Sequence, residues 1–460
     1  MTMIATNKLT AIVGLGSTGL SVARFLKSRG ERFVIFDTRE TPPGINEFLA
    51  EFVDHKPVLG NIKSKDFIDF AQLIVSPGIS IADPMFDDAR QHGVDIIGDI
   101  DLFARHANAP IVAITGSNGK TTVTTLVGEM ATAGGLKVHV GGNIGIPALD
   151  LLSKEKPDFY ILELSSFQLE TTKILNAHAA AVLNVSRDHL DRYDNFMGYH
   201  AAKMRIYFGA KNRVVNREDV LTQGPITEGV KQYSFGLNKP DFNQFGISES
   251  QGERFLSEGS HFWLNTKALK IAGLHNAANA LAAMALVKTM GVLNEQSIEA
   301  LKSFTGLDHR CQVVKEVAGV KYINDSKATN VGATLAAVKG LLPELSNESK
   351  LIVILGGQGK GADFKELLPI VIPQVKAFIL IGEDADKISA ALRLGYSSDQ
   401  DFSQSVTKQD SLESAVIYAS KIAKTGDCVL LSPACASFDM FSGYHHRGQV
   451  FATAVEALDD

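Results

Sequence analysis

Cysteine is scarce in this 460-residue sequence: Cys311, Cys428 and Cys435 are the three present, an odd number with no CxxC pair. That argues against a disulfide framework and against a cysteine-based zinc site, and it suits a reducing compartment. No apolar run reaches the ~18 residues of a membrane span. The longest candidates, residues 351–355 and 377–381, are the length of strands and run into glycine. Residues 1–10 lack the basic stretch, apolar stretch and cleavage site of an export leader, so the expectation is a cytoplasmic protein with no membrane partner. An excess of positive charge is also missing. Lys plus Arg is 45 against 51 Asp plus Glu, a formal net charge of -6, which gives no bulk attraction to nucleic acid. No short repeat is visible.

What is present is ordinary globular material, 45% hydrophobic and 21% charged, enough for several cores. Glycine is plentiful, at 40 residues, and sits mostly where strands end. Short β-branched runs alternate with longer amphipathic stretches, the pattern of βαβ units and parallel sheets. The reading is α/β in three blocks: residues 1–98, 99–306 and 307–460. The first predicts strands at 9–13, 32–36 and 73–75 and a helix over 19–28. The second predicts strands at 111–114, 137–140, 159–162, 180–185 and 213–215 and helices over 121–133 and 277–288. A small antiparallel β-meander inserted at 234–270 completes it. The third predicts strands at 321–323, 351–355, 377–381 and 429–431.

Two glycine loops carry chemistry. Gly14-Leu15-Gly16-Ser17-Thr18-Gly19 is a full GxGxxG between strand and helix, and Asp37 ends the next strand. Alone it reads as a dinucleotide site, although its physical content is narrower: backbone N–H groups and a helix N-terminus approach a phosphate. Arg39 can meet an anionic or carbonyl group of the ligand. The second loop, Thr115-Gly116-Ser117-Asn118-Gly119-Lys120-Thr121-Thr122, ends as a P-loop does. There lysine reaches the β- and γ-phosphates and the threonine hydroxyl can ligate Mg²⁺. The general pattern asks for glycine at 114, where this chain has Ile114. A dehydrogenase leaves the second loop idle, and a simple ATPase leaves the first idle. A ligase that holds a nucleotide-linked substrate and cleaves ATP uses both.

The second loop resembles the ATP loop of the Mur ligases, which add amino acids to UDP-N-acetylmuramic acid. The resemblance covers nearly the whole chain. It includes Gly141-Gly142-Asn143-Ile144-Gly145, Glu163-Leu164-Ser165-Ser166-Phe167-Gln168-Leu169, Asp188-His189-Leu190-Asp191-Arg192-Tyr193 and Ala201-Ala202-Lys203. It continues through His275-Asn276, His309-Arg310, Asp325-Ser326-Lys327-Ala328-Thr329-Asn330 and Leu431-Ser432-Pro433-Ala434-Cys435-Ala436-Ser437. The Asp-Ser-Lys-Ala-Thr-Asn run resembles the D-glutamate-adding branch.

The resemblance implies a Rossmann-like N-terminal UDP-substrate domain and a central P-loop ATPase domain with a mostly parallel sheet plus a small antiparallel β region. A C-terminal Rossmann-like domain would bear the amino-acid site. It implies a monomeric, ATP-dependent ligase of peptidoglycan precursor synthesis with UDP-N-acetylmuramoyl-L-alanine and D-glutamate as substrates. Mg²⁺, or Mn²⁺ in its place, would occupy two sites. ATP would be held by Gly116, Ser117, Asn118, Gly119, Lys120, Thr121, Thr122, Asn276, Asn279, His309, Arg310, Asp325 and Lys327. The metal would be held by Thr121, Glu163, His189 and a carbamylated Lys203. Lys120, Asn143, His189, Lys203 and Arg310 are the implied catalytic set. Gly16, Ser17, Thr18, Asp37, Thr38, Arg39, Ser76, Gly78, Asn143, Ser165 and His189 would contact the UDP substrate, and Thr329, Lys360, Ser437 and Tyr444 D-glutamate. Lys360 sits in Gly356-Gly357-Gln358-Gly359-Lys360-Gly361, which mimics another phosphate loop; the resemblance makes it a carboxylate binder. The family often has Glu where this chain has Gln312. His445-His446 would be loop residues, because adjacent side chains usually point apart.

Overall fold

Three sheets, each flanked by helices, follow one another along the chain. The structure is a computed structural model that describes residues 9–189, 192–225, 227–271, 273–346 and 348–458. Residues 1–8 of the segment read against an export leader, and Leu190 and Asp191 of the quoted Asp-His-Leu-Asp-Arg-Tyr run, lie outside the described residues.

The first sheet contains β1 (Thr10–Val13), β2 (Phe33–Asp37), β3 (Val58–Leu59), β4 (Gln72–Val75) and β5 (Asp95–Ile97). Its order is β3-β2-β1-β4-β5, all parallel. The chain leaves β1 for β2 on one side and later for β4 on the other. That reversal opens a crevice at the carboxyl ends of the strands, where open α/β sheets bind ligands. The helix Ser17–Ser28 starts there.

The second sheet runs through β6 (Ile111–Thr115), β7 (Val138–Gly142), β8 (Phe159–Glu163), β9 (Ala179–Val182) and β10 (Asn212–Asn216). It continues with β11 (Lys231–Phe235), β12 (Gln244–Ser250), β13 (Glu253–Glu258) and β14 (His261–Asn265). The order is β14-β13-β12-β11-β10-β9-β6-β8-β7. β6 is buried along its whole length because helices cover both faces. Its period-2 geometry divides it: Ile111 and Ala113 enter one core, Val112 and Ile114 the other. Helices Lys120–Ala133 and Leu274–Thr289 pack on the second of these cores through Val123, Leu126, Val127, Met130 and an alanine-rich face.

Two expectations change here. The stretch 234–270 is no separate insertion. β11 pairs in parallel with β10 and β12, and only β12, β13 and β14 form an antiparallel meander. Phe235, Phe245, Leu256 and Leu264 share the core of helix Leu274–Thr289, so one continuous sheet buries them all. The strand expected over 180–185 stops at Val182. Beyond it the backbone turns to the glycine loop, with Ser117 N–H donating to the Asn184 carbonyl at 2.9 Å.

The third sheet holds β15 (Gln312–Val317), β16 (Val320–Asn324), β17 (Leu351–Gly356), β18 (Val375–Ile381), β19 (Val406–Lys408) and β20 (Cys428–Leu431). The order is β15-β16-β20-β17-β18-β19, parallel except for the edge hairpin of β15 on β16. The Leu351–Gly356 run is wholly buried for the same two-faced reason. No helix among the described residues is long and apolar enough to cross a membrane.

Candidate active site

The loop between β6 and helix Lys120–Ala133 is held from below by the segment that follows β9. Asn118 N–H donates to Asn184 Oδ1 at 2.8 Å, and Asn184 Nδ2 returns a bond to the Asn118 carbonyl at 3.0 Å. Ser117 Oγ donates to the Ser186 carbonyl and lies 2.9 Å from the Tyr199 hydroxyl. Gly119 has φ 81°, and a Cβ on it would lie 2.5 Å from Asn279 Oδ1, so the turn favours glycine. The helix N-terminus and Lys120 therefore face a cleft of ≈ 830 Å³.

Around this loop stand groups distant in sequence. Lys120 Nζ donates to the carbonyls of Gly116 and Ser117 at 2.8 and 2.9 Å. Lys203, 2% exposed, donates to the same Gly116 carbonyl at 2.9 Å and lies over the Tyr199 ring. Burial, then the neighbouring Lys120, pull the Lys203 amine well below the ordinary lysine range against Asp188 and Glu163. Burial also lowers Lys120. Glu163, at the end of β8, is buried; its Oε1 accepts a 2.8 Å bond from Asn143 Nδ2. Its Oε2 is buried with no hydrogen-bond partner among the described residues. A carboxylate oxygen in that state is what a cation would satisfy. His189, at φ 54°, packs edge-on against Phe167 with its Nε2 3.7 Å from Asp188 Oδ2. Burial lowers its imidazole, with Asp188 opposing, which favours the neutral form that ligates metals.

The third sheet closes the cleft. Arg310 Nη2 donates to Thr121 Oγ1 at 2.5 Å, and Asn330 Nδ2 donates to Asp188 Oδ2 at 3.0 Å and Asn118 Oδ1 at 3.3 Å. Asp325, beyond β16, accepts from Ser432 Oγ and Cys311 N–H, and burial pushes its carboxyl up to about 7. Lys327 Nζ lies 3.9 Å from the Tyr444 ring centroid. Burial, then Arg310 and Lys120, bring its amine down to about 8. Thr329, Lys360, Ser437 and Tyr444 line the same cleft. Three residues that line the cleft, His189, Cys311 and Lys360, have positive φ.

A second cavity of ≈ 630 Å³ lies at the reversal point of the first sheet. Gly16, Ser17, Thr18, Asp37, Thr38, Arg39, Ser76 and Gly78 line it, and Asn143 lines both cavities. A Cβ on Gly16 would meet open space, whereas one on Gly19 would strike the Gly14 carbonyl at 1.9 Å. Gly19 thus serves packing, and Gly16 leaves the backbone clear toward the crevice. Asp37 accepts from Leu15 N–H, Arg39 N–H and the Nε and Nη2 groups of Arg39. Burial tends to raise this carboxyl, but Arg39 and the two N–H groups outweigh it and hold it low. Four donors thus engage the carboxylate, two of them on the half-exposed Arg39 side chain, so that Asp37 fixes Arg39 at the rim of the cavity.

Of the residues predicted from sequence, most line one of these two cavities. Gly116 contributes its carbonyl from beneath. His309 stays apart: it is buried, with Asn324 Nδ2 3.1 Å from its Nδ1, and it supports the third sheet rather than facing the cleft. Sequence reasoning assigned no role to Asn184, Ser186, Asp188, Tyr199 or Asn330. Asp188 and Asn330 lay inside quoted motifs and were legible there; Asn184 and Tyr199 had no local signal.

Residues 8–98, 114–287 and 309–435 match family models described as Mur ligase MurD-like, N-terminal domain, as Mur ligase middle domain, and as Mur ligase, glutamate ligase domain. The chain is 48% identical over 459 residues to a UDP-N-acetylmuramoylalanine--D-glutamate ligase of Pseudomonas savastanoi pv. phaseolicola, covering 100% of both. It is 49% identical over 458 residues to the protein of the same name from Pseudomonas aeruginosa, again covering 100% of both. Among solved structures it resembles UDP-N-acetylmuramate-alanine ligase MurC from Thermotoga maritima, with TM-score 0.59 and 19% identity, over 98% of this chain and 100% of that one. It also resembles MurF from Acinetobacter baumannii, with TM-score 0.60 and 18% identity, over 92% and 90%. These two likenesses bear on the fold alone.

Proposed function

The chain belongs to the Mur ligase family, and from that premise we propose that it joins D-glutamate to UDP-N-acetylmuramoyl-L-alanine with cleavage of ATP to ADP and phosphate. The observation that carries the reading is the junction at Asn143. This side chain lines both the nucleotide-type crevice and the cleft that gathers Lys120, Glu163, His189, Lys203 and Arg310. A UDP-linked substrate lying in the crevice of residues 1–98 would bring its carboxylate past Asn143 to the phosphate loop of residues 99–306. The amino acid would enter from residues 307–460.

A carboxylate and an amine do not condense in water unless the carboxylate is first made electrophilic. Transfer of the ATP γ-phosphoryl group to the substrate carboxylate gives an acyl phosphate. Attack by the D-glutamate amine gives a tetrahedral intermediate, and phosphate departs. The protein's task is positioning and charge neutralisation. Lys120 and residues 116–122 cradle the β- and γ-phosphates. Arg310 presents a planar fork to the transferring group from across the cleft. Asn276 and Asn279 flank the adenine side, and Asp325 and Lys327 approach from the third sheet. Thr329, Lys360, Ser437 and Tyr444 receive D-glutamate, Lys360 pairing with a carboxylate.

Thr121, Glu163, His189 and a carbamylated Lys203 would hold Mg²⁺ or Mn²⁺ at two sites. When bound, the ion supplies neutralisation and alignment of phosphate oxygens. Among the described residues no cluster of three or more His, Cys, Asp or Glu surrounds one point. Mg²⁺ prefers oxygen, so carbamylation of Lys203 and the substrate phosphates would complete the donor set. A cytoplasmic monomer in peptidoglycan precursor synthesis fits this reading. The test is phosphate release from ATP with UDP-N-acetylmuramoyl-L-alanine and a panel of amino acids. D-glutamate is expected to stimulate it, and no stimulation by D-glutamate overturns the assignment.

A further inference from the structure

The largest fully buried side chain, Arg447 on helix Tyr444–Glu456, does not line the cleft. It is 1% exposed, its hydrogen bonds go to Ser326 and to backbone carbonyls, and the carboxylates of Asp439 and Asp325 act on it through space. Its Nε donates to Ser326 Oγ at 3.0 Å and its Nη2 to the Ser326 carbonyl at 2.8 Å. Nη1 donates to the carbonyls of Cys435 and Ala436 at 3.1 and 3.3 Å, and Nη2 reaches the Cys435 carbonyl at 3.1 Å. Desolvating a guanidinium is costly, and here burial outweighs the pull of those carboxylates, so its placement needs a reason. Burial pulls it down to about 10, so it stays charged at neutral pH.

The reason lies in what these oxygens belong to. Ser326 precedes Lys327 and Thr329. Cys435 and Ala436 precede Ser437. Ala436 also exchanges backbone bonds with Gln358 at 3.0 and 2.8 Å, which ties in the loop of Lys360. Ser326 Oγ in turn donates to the Tyr444 carbonyl at 2.8 Å. Loops meeting with their carbonyls turned inward need a polydentate donor, and a planar five-donor fork meets that need where an ammonium does not.

We propose that Arg447 is the positioning residue of the amino-acid pocket, holding the loops of Thr329, Ser437, Lys360 and Tyr444 in register without touching the substrate. The inference rests on the ligase reading above. Its test compares Arg447→Lys and Ser326→Ala in the full-length enzyme, with KM measured separately for D-glutamate and for UDP-N-acetylmuramoyl-L-alanine, and Tm recorded. The expected result is a D-glutamate KM raised about tenfold in Arg447→Lys and about fivefold in Ser326→Ala, which loses both hydrogen bonds of the Ser326 hydroxyl. The KM for the UDP substrate should stay within about twofold, because that crevice lies on another sheet. An unchanged D-glutamate KM in both variants, or equal rises for both substrates, overturns the proposal. Should Arg447→Lys fail to fold, Ser326→Ala decides by the same criterion. A wild-type enzyme that ignores D-glutamate counts against the ligase reading instead.

Discussion

Lys120 and Lys203 donate to one and the same carbonyl oxygen, that of Gly116, at 2.8 and 2.9 Å. Two ammonium groups sharing one acceptor repel each other; burial first, and then Lys120, pull the Lys203 amine well below the ordinary lysine range, toward its neutral form. A neutral amine is the form that reacts with CO₂, and the product carbamate would turn a repulsive neighbour of Lys120 into an attractive one.

Lys203→Ala should therefore lower kcat by about a hundredfold or more, with Tm little changed, and formate or acetate should restore part of the rate. Full activity in the variant, or a loss that no short carboxylic acid relieves, would remove the carbamate from the mechanism.

Arg310 reaches across from the third sheet to Thr121. Arg310→Lys keeps the charge but loses the planar fork, and its kcat should fall by about two orders of magnitude. Steady-state kinetics in ATP checks this; a change confined to KM would mean that the guanidinium only aids ground-state binding.

Gly119→Ala would put a Cβ against Asn279 at 2.5 Å in a left-handed turn. The variant should lose about 1 kcal/mol of stability from the backbone conformation alone. Because Asn279 must move, the KM for ATP should rise more than that for the UDP substrate. Equal KM values for ATP in variant and parent would separate Asn279 from nucleotide binding.

Asp325 titrates near 7 when folded because burial disfavours its charge, and near 3.9 when unfolded. Between pH about 4 and 7 the folded state holds a proton that the unfolded state has released. Its contribution to stability therefore falls as pH rises through that window and levels off above it. Asp325→Asn should flatten this part of the pH profile and, at pH 8, unfold at a higher temperature than the parent, by up to a few kcal/mol in free energy. Identical pH profiles for the two proteins would show that the carboxyl does not retain its proton.

Much of the fold was legible because its signals are local. Buried runs such as Ile111–Thr115 and Leu351–Gly356 read as central strands since helices cover both of their faces. The glycine loops read as turns for phosphate because their chemistry depends on contiguous backbone. The limits were also local. The run 180–185 looked like one strand, yet its second half turns away to bond Ser117 and Asn118, partners nearly seventy residues earlier. The meander looked like an insertion because the alternation of its strands does not reveal which sheet edge they extend.

The sequence by itself determined most of the element types and the two glycine loops, since each depends on a short run of residues. Tertiary structure decided that Asp37 is bonded by Arg39 and Leu15, that Lys120 and Lys203 share one carbonyl, and that Arg447 ties Ser326 to Cys435 and Ala436. Apart from the Asp37–Arg39 pair, these relationships join residues on different elements. The geometry that makes each of them exist forms only when the sheets are packed, so even the neighbouring Asp37 and Arg39 do not reveal it in their spacing.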